Sequence, residues 1–513
     1  MEHTINVPSE WSAEEVKRVG YWVIDLIADH LTALADGPVF RPFPTDLAEK
    51  FLATPAPVAG MDTDRILQEF RDTIVPYPFG NGHPRFWGWV NSPPVVIGIL
   101  AEALAAAMNP SCAGGNHAAI YVERQVLNWF KEMLGFPSDS MGLLVSGGSM
   151  ASLIGLAVAR HTKAGFDVRR KGLQGTERKL VLYVSEEGHG CIRKAAELMG
   201  IGTEHVHTVA VDEDLRMRVD DLNIRISKDL AHGCQPFAVV ASAGTVNTGA
   251  IDPLREIGDV CRRYGLWFHI DGAYGAPAIL AKRYQAELAP IALADSVGLD
   301  PHKWLSVPVE AGLVLAKDAR AMRDAFSLVA PYLRTDDKPT GVGGSTWFSE
   351  YGFQQTRGFR ALKVWMALKF HGLEGYAQMI ESQIELAHYL HGRVVTAPDL
   401  EVVAPPSLSI VCFRYKPDRF SGSDAQLDAL NKVLLDRIQL SGNAFLSSTV
   451  LQGRFVMRAC IVNFRTRKTD LDYLVDLVQE EGKRCYEGIP IDSGEKRILC
   501  RQTNGDQAER KTE

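Results

Sequence analysis

The pattern of apolar and polar positions changes twice along the chain. Near the start, Val19, Val23, Leu26, Ile27 and Leu31 recur at helical spacing, which predicts an amphipathic helix. Ser12-Ala13-Glu14-Glu15, just ahead of them, reads as its capping signal. A proline-rich stretch over 38–57 follows, then a second helical pattern over 63–74. Two such helices cannot bury both apolar faces alone, so they are expected to pack on the large domain or on a second subunit.

From about residue 84 to 380, short apolar runs alternate with helical segments. Runs at 142–145, 180–184, 206–209, 237–241 and 266–270 predict buried strands, each followed by polar or glycine-rich residues and then a helix. This is the pattern of an α/β domain whose mostly parallel central sheet is flanked by helices, with functional residues at the carboxyl ends of the strands. Farther on, strand candidates at 408–413 and 455–459 enclose a helical pattern over 425–441, which reads as a small α+β domain. The expected division is an N-terminal helical segment (1–83), a large α/β domain (84–385), a small C-terminal α+β domain (386–492) and a polar tail (493–513). There is no internal repeat.

Composition narrows the class. With 513 residues, 46% hydrophobic and 23% charged, the chain is too long for one core and has the balance of a globular protein. A net charge of -7 gives no general attraction to nucleic acid or anionic lipid, so neither is expected as a partner. The most apolar stretch, 93–108, stops short of the roughly 20 residues of a membrane span. The first residues lack the basic start and apolar run of a secretory signal. Eight cysteines without a close CxxC pair read as buried thiols in a reducing compartment, and a cytoplasmic location is expected. The 14 histidines form no HExxH-like spacing, and no metal is expected.

The candidate chemistry lies after the predicted strands. Asp300-Pro301-His302-Lys303-Trp304 sets a lysine in a neighbourhood with almost no other charge, behind an apolar run. An amine that condenses with an aldehyde must be held in place and able to lose its proton, and partial burial favours both. His269-Ile270-Asp271-Gly272-Ala273-Tyr274 ends another strand with a carboxylate. Asp271 could pair with a pyridine nitrogen, or cap a helix or turn the chain at Gly272. Ser146-Gly147-Gly148-Ser149 opens a helical run and suits a phosphate, although it is neither a P-loop nor a dinucleotide fingerprint. His189 could stack on a planar cofactor or be a structural histidine. Thr245 and Asn247 stand in a polar turn after the fourth predicted strand.

In this order, phosphate turn, histidine, polar turn, aspartate and lysine, the chain resembles the group II pyridoxal-phosphate (PLP) decarboxylases of fold type I, the aspartate aminotransferase fold. Its aromatic L-amino-acid enzymes are the nearest in pattern. The most specific part is Asp271 with Ala273-Tyr274, followed by His302-Lys303-Trp304, and the resemblance runs to about residue 490. It implies that Lys303 carries PLP as a Schiff base, Asp271 pairs with the ring nitrogen and His189 stacks on the ring. Gly148, Ser149 and His302 would hold the phosphate, and Thr245 and Asn247 would line the pocket. Asp300 departs from the asparagine or serine of several members. A carboxylate repels a phosphate unless something lies between them, so its contact with the phosphate stays open.

The resemblance further implies a loop after the lysine, where Tyr332 would donate the proton that replaces carbon dioxide. A tyrosine there favours simple decarboxylation over aldehyde formation. It also implies a homodimer with its active sites at the interface. For the substrate pocket, Phe86, Trp87, Trp89, Ser92, Cys112 and Trp347 are candidates suited to an aromatic side chain such as that of tryptophan, tyrosine, phenylalanine or dihydroxyphenylalanine. Arg85, Arg357 and Arg360 could instead grip a side-chain carboxylate, so an acidic or other amino acid is an alternative. Aldehyde synthesis or amino transfer is the alternative reaction.

Overall fold

The computed structural model describes residues 11–174, 178–328, 344, 346–418 and 420–488. The strands among them are, in chain order, β1 (Phe86–Trp87), β2 (Met141–Val145), β3 (Leu180–Ser185), β4 (Val206–Val209), β5 (Gln235–Ser242), β6 (Trp267–Asp271), β7 (Ser296–Leu299), β8 (Gly312–Ala316), β9 (Leu400–Val402), β10 (Ile410–Tyr415), β11 (Phe445–Leu451) and β12 (Arg454–Cys460). Seven form a large sheet in the order β2-β8-β7-β6-β5-β3-β4. All its strands run parallel except β8, which is antiparallel to both β2 and β7. Every position of β3 and β8 is buried, as expected of strands covered on both faces, and this explains their unbroken apolar runs.

Because β2, β3, β5, β6 and β7 point the same way, their carboxyl ends share one edge of the sheet. Val145, Ser185, Ser242, Asp271 and Leu299 end there, and the chemistry-bearing turns leave from them. The helix Gly148–Lys163 packs across β5, β6, β7 and β8. Gly312, at the start of β8, lies so close behind the turn that a Cβ there would sit 2.4 Å from the Gly147 Cα.

The second sheet has the order β1-β11-β12-β10-β9. Its edge is taken out of chain order: Phe86 and Trp87 pair in parallel with Phe445 and Leu446, although the sequence pattern assigns both to the large α/β domain. Burial of two aromatic rings accounts for this. Phe86 stacks on Phe445 at 4.9 Å, and Trp87 is enclosed in the small domain's core with its indole N–H on Thr466 Oγ1 at 3.2 Å. The helical span Ala361–Thr396 bends at Gly372, where φ is 66°, and packs on the helices Val96–Met108 and Ala118–Leu134 as well as on β9 and β10.

Ser12 caps the first helix, Ala13–Ala33, accepting from the Glu15 N–H at 3.2 Å. Val19 is its one buried residue, while Val16, Tyr21 and Ile24 are exposed. No helix among the described residues is long and apolar enough to cross a membrane.

Candidate active site

A cavity of about 300 Å³ opens at the shared strand ends. Its lining brings together Gly148, Ser149, His189, Thr245, Asp271, His302 and Lys303, all singled out from the sequence. They arrive from five strand ends: Gly148 and Ser149 after β2, His189 after β3, Thr245 after β5, Asp271 at the end of β6, and His302 and Lys303 after β7. Among the lining residues Lys303 is the single lysine, and there is no arginine.

The Lys303 Nζ lies 3.0 Å from Asp300 Oδ2. Burial alone would lower its pKa, but the negative charges of Asp300 and Asp271 outweigh burial and hold the ammonium above its ordinary value. The surrounding backbone is fixed from several sides. Ser92 Oγ donates to the Lys303 carbonyl. The Trp304 indole stacks on Tyr274 at 4.9 Å and donates to Gln383 Oε1 at 2.6 Å. The Tyr274 hydroxyl in turn meets Ser409 Oγ at 2.6 Å. A lysine on so braced a turn is placed rather than free to wander.

Asp271 ends β6, and its Oδ1 accepts the Ala273 N–H at 3.1 Å. The turn role and the cavity-facing role are thus compatible. Gly148 opens the helix Gly148–Lys163, whose first N–H groups have no partner within the helix and whose dipole favours an anion. A Cβ at Gly148 would lie 2.9 Å from the Ala273 Cβ and 3.0 Å from Asp300 Oδ2, so glycine keeps this cradle open. His189 takes the Cys191 N–H on Nδ1 at 3.2 Å, which leaves Nε2 as the protonated nitrogen of the neutral ring. His302 Nδ1 lies against the Ala311 backbone, 2.7 Å from its carbonyl oxygen and 3.2 Å from its nitrogen.

Some sequence candidates stand elsewhere. Asn247 is not in the lining. Its amide donates to Glu187 Oε2 at 2.8 Å and accepts from Thr449 Oγ1 at 2.7 Å, while its carbonyl takes Arg458 Nε at 2.9 Å. It ties the two sheets together instead of facing a ligand. None of the six substrate-pocket candidates lines the cavity of a single chain. Phe86 and Trp87 are strand residues in core clusters. Cys112 is fully buried, its thiol pushed up to about 12, chiefly by burial, and its carbonyl accepts from Arg357 at 2.8 Å. Ser92 supports the Lys303 backbone. Trp89 is 46% exposed and stacks on Phe79 at 5.7 Å. Trp347 packs on Gly114, where a Cβ would come within 2.5 Å of the indole. Tyr332 lies outside the described residues.

The cavity also holds residues that the sequence reading passed over. Val90 lines it, close to the proposed aromatic segment, and so does Cys191, whose thiol burial pushes up to about 12. A signal for Cys191 existed: it begins the helix Cys191–Leu198, two residues after His189.

Residues 44–416 match the model of the pyridoxal-dependent decarboxylase conserved domain. The chain belongs to the pyridoxal-dependent decarboxylases. Its relatives include an aromatic-L-amino-acid decarboxylase from Bacillus atrophaeus, 37% identical over 462 residues that cover 90% of this chain and 94% of that one. Tryptophan decarboxylase 2 of Oryza sativa subsp. japonica is 29% identical over 93% of this chain and 97% of its own length. The crystal structure of Oryza sativa TDC with PLP and tryptamine superposes with a TM-score of 0.85 at 24% identity, over 92% of this chain and 98% of that one. The architecture is therefore fold type I, and this decarboxylase is a PLP-dependent carboxy-lyase acting on an amino acid. The residues present fit the cofactor: the glycine cradle suits a phosphate, and a partly buried amine shares the cavity with the carboxylate that ends β6.

Proposed function

We propose that the decarboxylase converts an aromatic L-amino acid to its amine and carbon dioxide in the cavity around Lys303. The observation that carries the reading is the convergence of Lys303, Asp271, His189 and the Gly148-Ser149 turn on one cavity. In this reading Lys303 is the anchoring amine, Asp271 holds a proton on the ring nitrogen and His189 lies against the ring. Ser149, the Gly148 N–H and His302 receive the phosphate, with Thr245 at the side of the pocket. Bound there, pyridoxal phosphate supplies an electron-accepting ring for the bond pair released as carbon dioxide leaves. Tyr332 is the proposed donor of the proton that then replaces carbon dioxide at the substrate Cα. In air, with dioxygen as the oxidant and ammonia released, Tyr332→Phe should divert product from amine towards aldehyde, and an unchanged amine yield would remove Tyr332 from this role.

The aromatic class is supported by what the arginines do. Arg357 is enclosed and paired with Glu123. Arg360 Nε donates to Glu310 Oε1 at 2.7 Å. Arg85 binds Asp470 at 3.2 Å and lies 3.9 Å over the Tyr473 ring. Each has a carboxylate of its own and is not in the cavity lining, so none is placed to receive an acidic substrate side chain. Most of the relatives' names agree with the aromatic reading, while one from Bos taurus names an acidic amino acid decarboxylase.

The decarboxylase is further proposed to act as a homodimer. Val96, Leu100, Leu104 and Met108 recur every fourth residue along the helix Val96–Met108 and are all exposed. Residues so spaced share one helix face, and an apolar face of this kind needs a cover. Sedimentation of an active, stable monomer would overturn it. The substrate test is incubation of PLP-loaded enzyme with separate L-amino acids, following carbon dioxide and product mass. Equal amine and carbon dioxide from tryptophan, tyrosine, phenylalanine or dihydroxyphenylalanine is the expected result, and turnover of glutamate alone would refute the aromatic assignment.

A further inference from the structure

Asp300 is a charge that the proposed machinery does not use, placed where it should do harm. It is 2% exposed. Oδ2 is engaged by the Lys303 Nζ at 3.0 Å, whereas Oδ1 is buried and has no hydrogen-bond partner among the described residues. Both oxygens face the phosphate turn: a Cβ at Gly148 would lie 3.0 Å from Oδ2, and one at Gly147 would lie 3.9 Å from Oδ1. The groups that share the cavity with the carboxyl come from every neighbouring turn. Lys303 and His302 share its own, with His302 Nε2 at 3.9 Å; Asp271 is on the β6 turn, and Ser149, His189 and Cys191 are on the others. One lysine thus faces two carboxylates before any phosphate enters.

A phosphate monoester is nearly dianionic at neutral pH, its second pKa being about 6. Beside an enclosed carboxylate it meets like charge in a medium that screens poorly. A carboxylic acid behaves differently, because its O–H becomes a donor to a phosphate oxygen. The orphaned Oδ1 is the atom with no other partner to satisfy.

We propose that binding of the cofactor phosphate draws a proton onto Asp300, so that a neutral acid donates from Oδ1 to the phosphate. In the free site the same residue is the counter-ion of Lys303. Asp300 is therefore a cofactor-binding residue whose grip depends on pH, in a way that an amide at this position would not. The proposal rests on the phosphate occupying the Gly148-Ser149 turn.

The probe is pyridoxine 5′-phosphate, which keeps the ring and phosphate but carries an alcohol in place of the aldehyde and so forms no bond with Lys303. Its binding to the cofactor-stripped full-length chain is measured by titration calorimetry in buffers of different ionisation enthalpy, at about pH 8, where the free phosphate is dianionic. Proton exchange at the ring is common to all chains, so the difference between chains is the readout. The wild type should take up about one proton more than Asp300→Asn, and its dissociation constant should weaken relative to Asp300→Asn by about tenfold per pH unit on the alkaline side. His302→Gln should keep the uptake. Equal proton counts in wild type and Asp300→Asn, weaker binding by Asp300→Asn, or uptake lost in His302→Gln and kept in Asp300→Asn would each overturn the proposal. Gly148→Ala separates this from the placement beneath it, because filling the cradle should weaken pyridoxine phosphate but not phosphate-free pyridoxine. Equal loss of both, or no loss, overturns the placement and the proposal with it.

Discussion

Removing the Arg357 guanidinium separates a structural role from a substrate-binding one. Arg357 and Glu123 are buried side chains, 2% and 0% exposed. Arg357 also donates to the Cys112 and Leu144 carbonyls at 2.8 and 2.7 Å, and Glu123 Oε1 accepts the Leu144 N–H at 3.0 Å. Leu144 lies in β2, just before the Gly148-Ser149 turn. Arg357→Met would leave a carboxylate enclosed without its partner, which costs about 3–5 kcal/mol, and would strip two carbonyls of a donor. At about 2 °C per kcal/mol, the thermal midpoint of the PLP-loaded enzyme should fall by roughly 8 °C. Because the loss comes chiefly from the abandoned charge, Glu123→Gln combined with Arg357→Met should recover most of it. The assay is thermal unfolding alongside carbon dioxide release from an aromatic amino acid and from glutamate. An Arg357→Met protein of unchanged stability that selectively lost turnover of an acidic substrate would refute the reasoning and return the arginine to the substrate.

Other perturbations have equally definite outcomes. Asp271→Asn keeps an oxygen for the Ala273 N–H and should leave cofactor bound while lowering turnover by about a hundredfold or more; single-turnover kinetics with the cofactor's absorbance check it. Gly312→Ala would drive a methyl to 2.4 Å from the Gly147 Cα, and the displaced turn should weaken PLP binding by about tenfold or more, measured by titration. His269 is buried in β6, and burial depresses its pKa to about 4. The stability it contributes is present above about pH 6.5 and lost as pH falls through 4, amounting to about 3 kcal/mol, and unfolding curves of His269→Gln should show a flatter acid limb. Asp252 has the opposite sign, since burial raises it to about 6 against the Ser242 and Met217 N–H groups. Its contribution is full below the ordinary carboxylate value and disappears as pH rises through 6, which infrared titration of a protonated carboxyl would detect.

Much of the fold was legible because parallel strands buried on both faces leave unbroken apolar runs. The runs at 180–184, 206–209 and 237–241 match β3, β4 and β5 to within two residues at each end. Of the strands that escaped, β8 does carry an unbroken apolar run, whereas β7, β11 and β1 lack that signature for identifiable reasons. β7 has four residues with Gly298 among them, needed because a Cβ there would lie 3.1 Å from the Ala151 Cβ. β11 carries Ser447, Ser448 and Thr449 in its middle. β1 has two residues and exists by virtue of a partner some 360 positions away in the chain. No periodicity within a segment can announce a strand made by its neighbour.

The candidate site divides along the same line. Asp271, His189 and Ser149 follow predicted strand ends, and because parallel strands bring their ends together they meet Lys303, which follows the short β7, although all are far apart in sequence. Residues assigned by type alone fared differently. An arginine offers the same guanidinium to a substrate as to Glu123, and spacing does not tell the two apart; only the fold brings Glu123 to Arg357. Asn247 is a similar case, spent on Glu187 and Thr449. The consequence bears on specificity. Lys303 is the one lysine or arginine lining the cavity among the described residues, and the proposed chemistry commits it to the cofactor. An acidic side chain would therefore enter this chain's cavity without a countercharge, whereas an uncharged aromatic ring needs none.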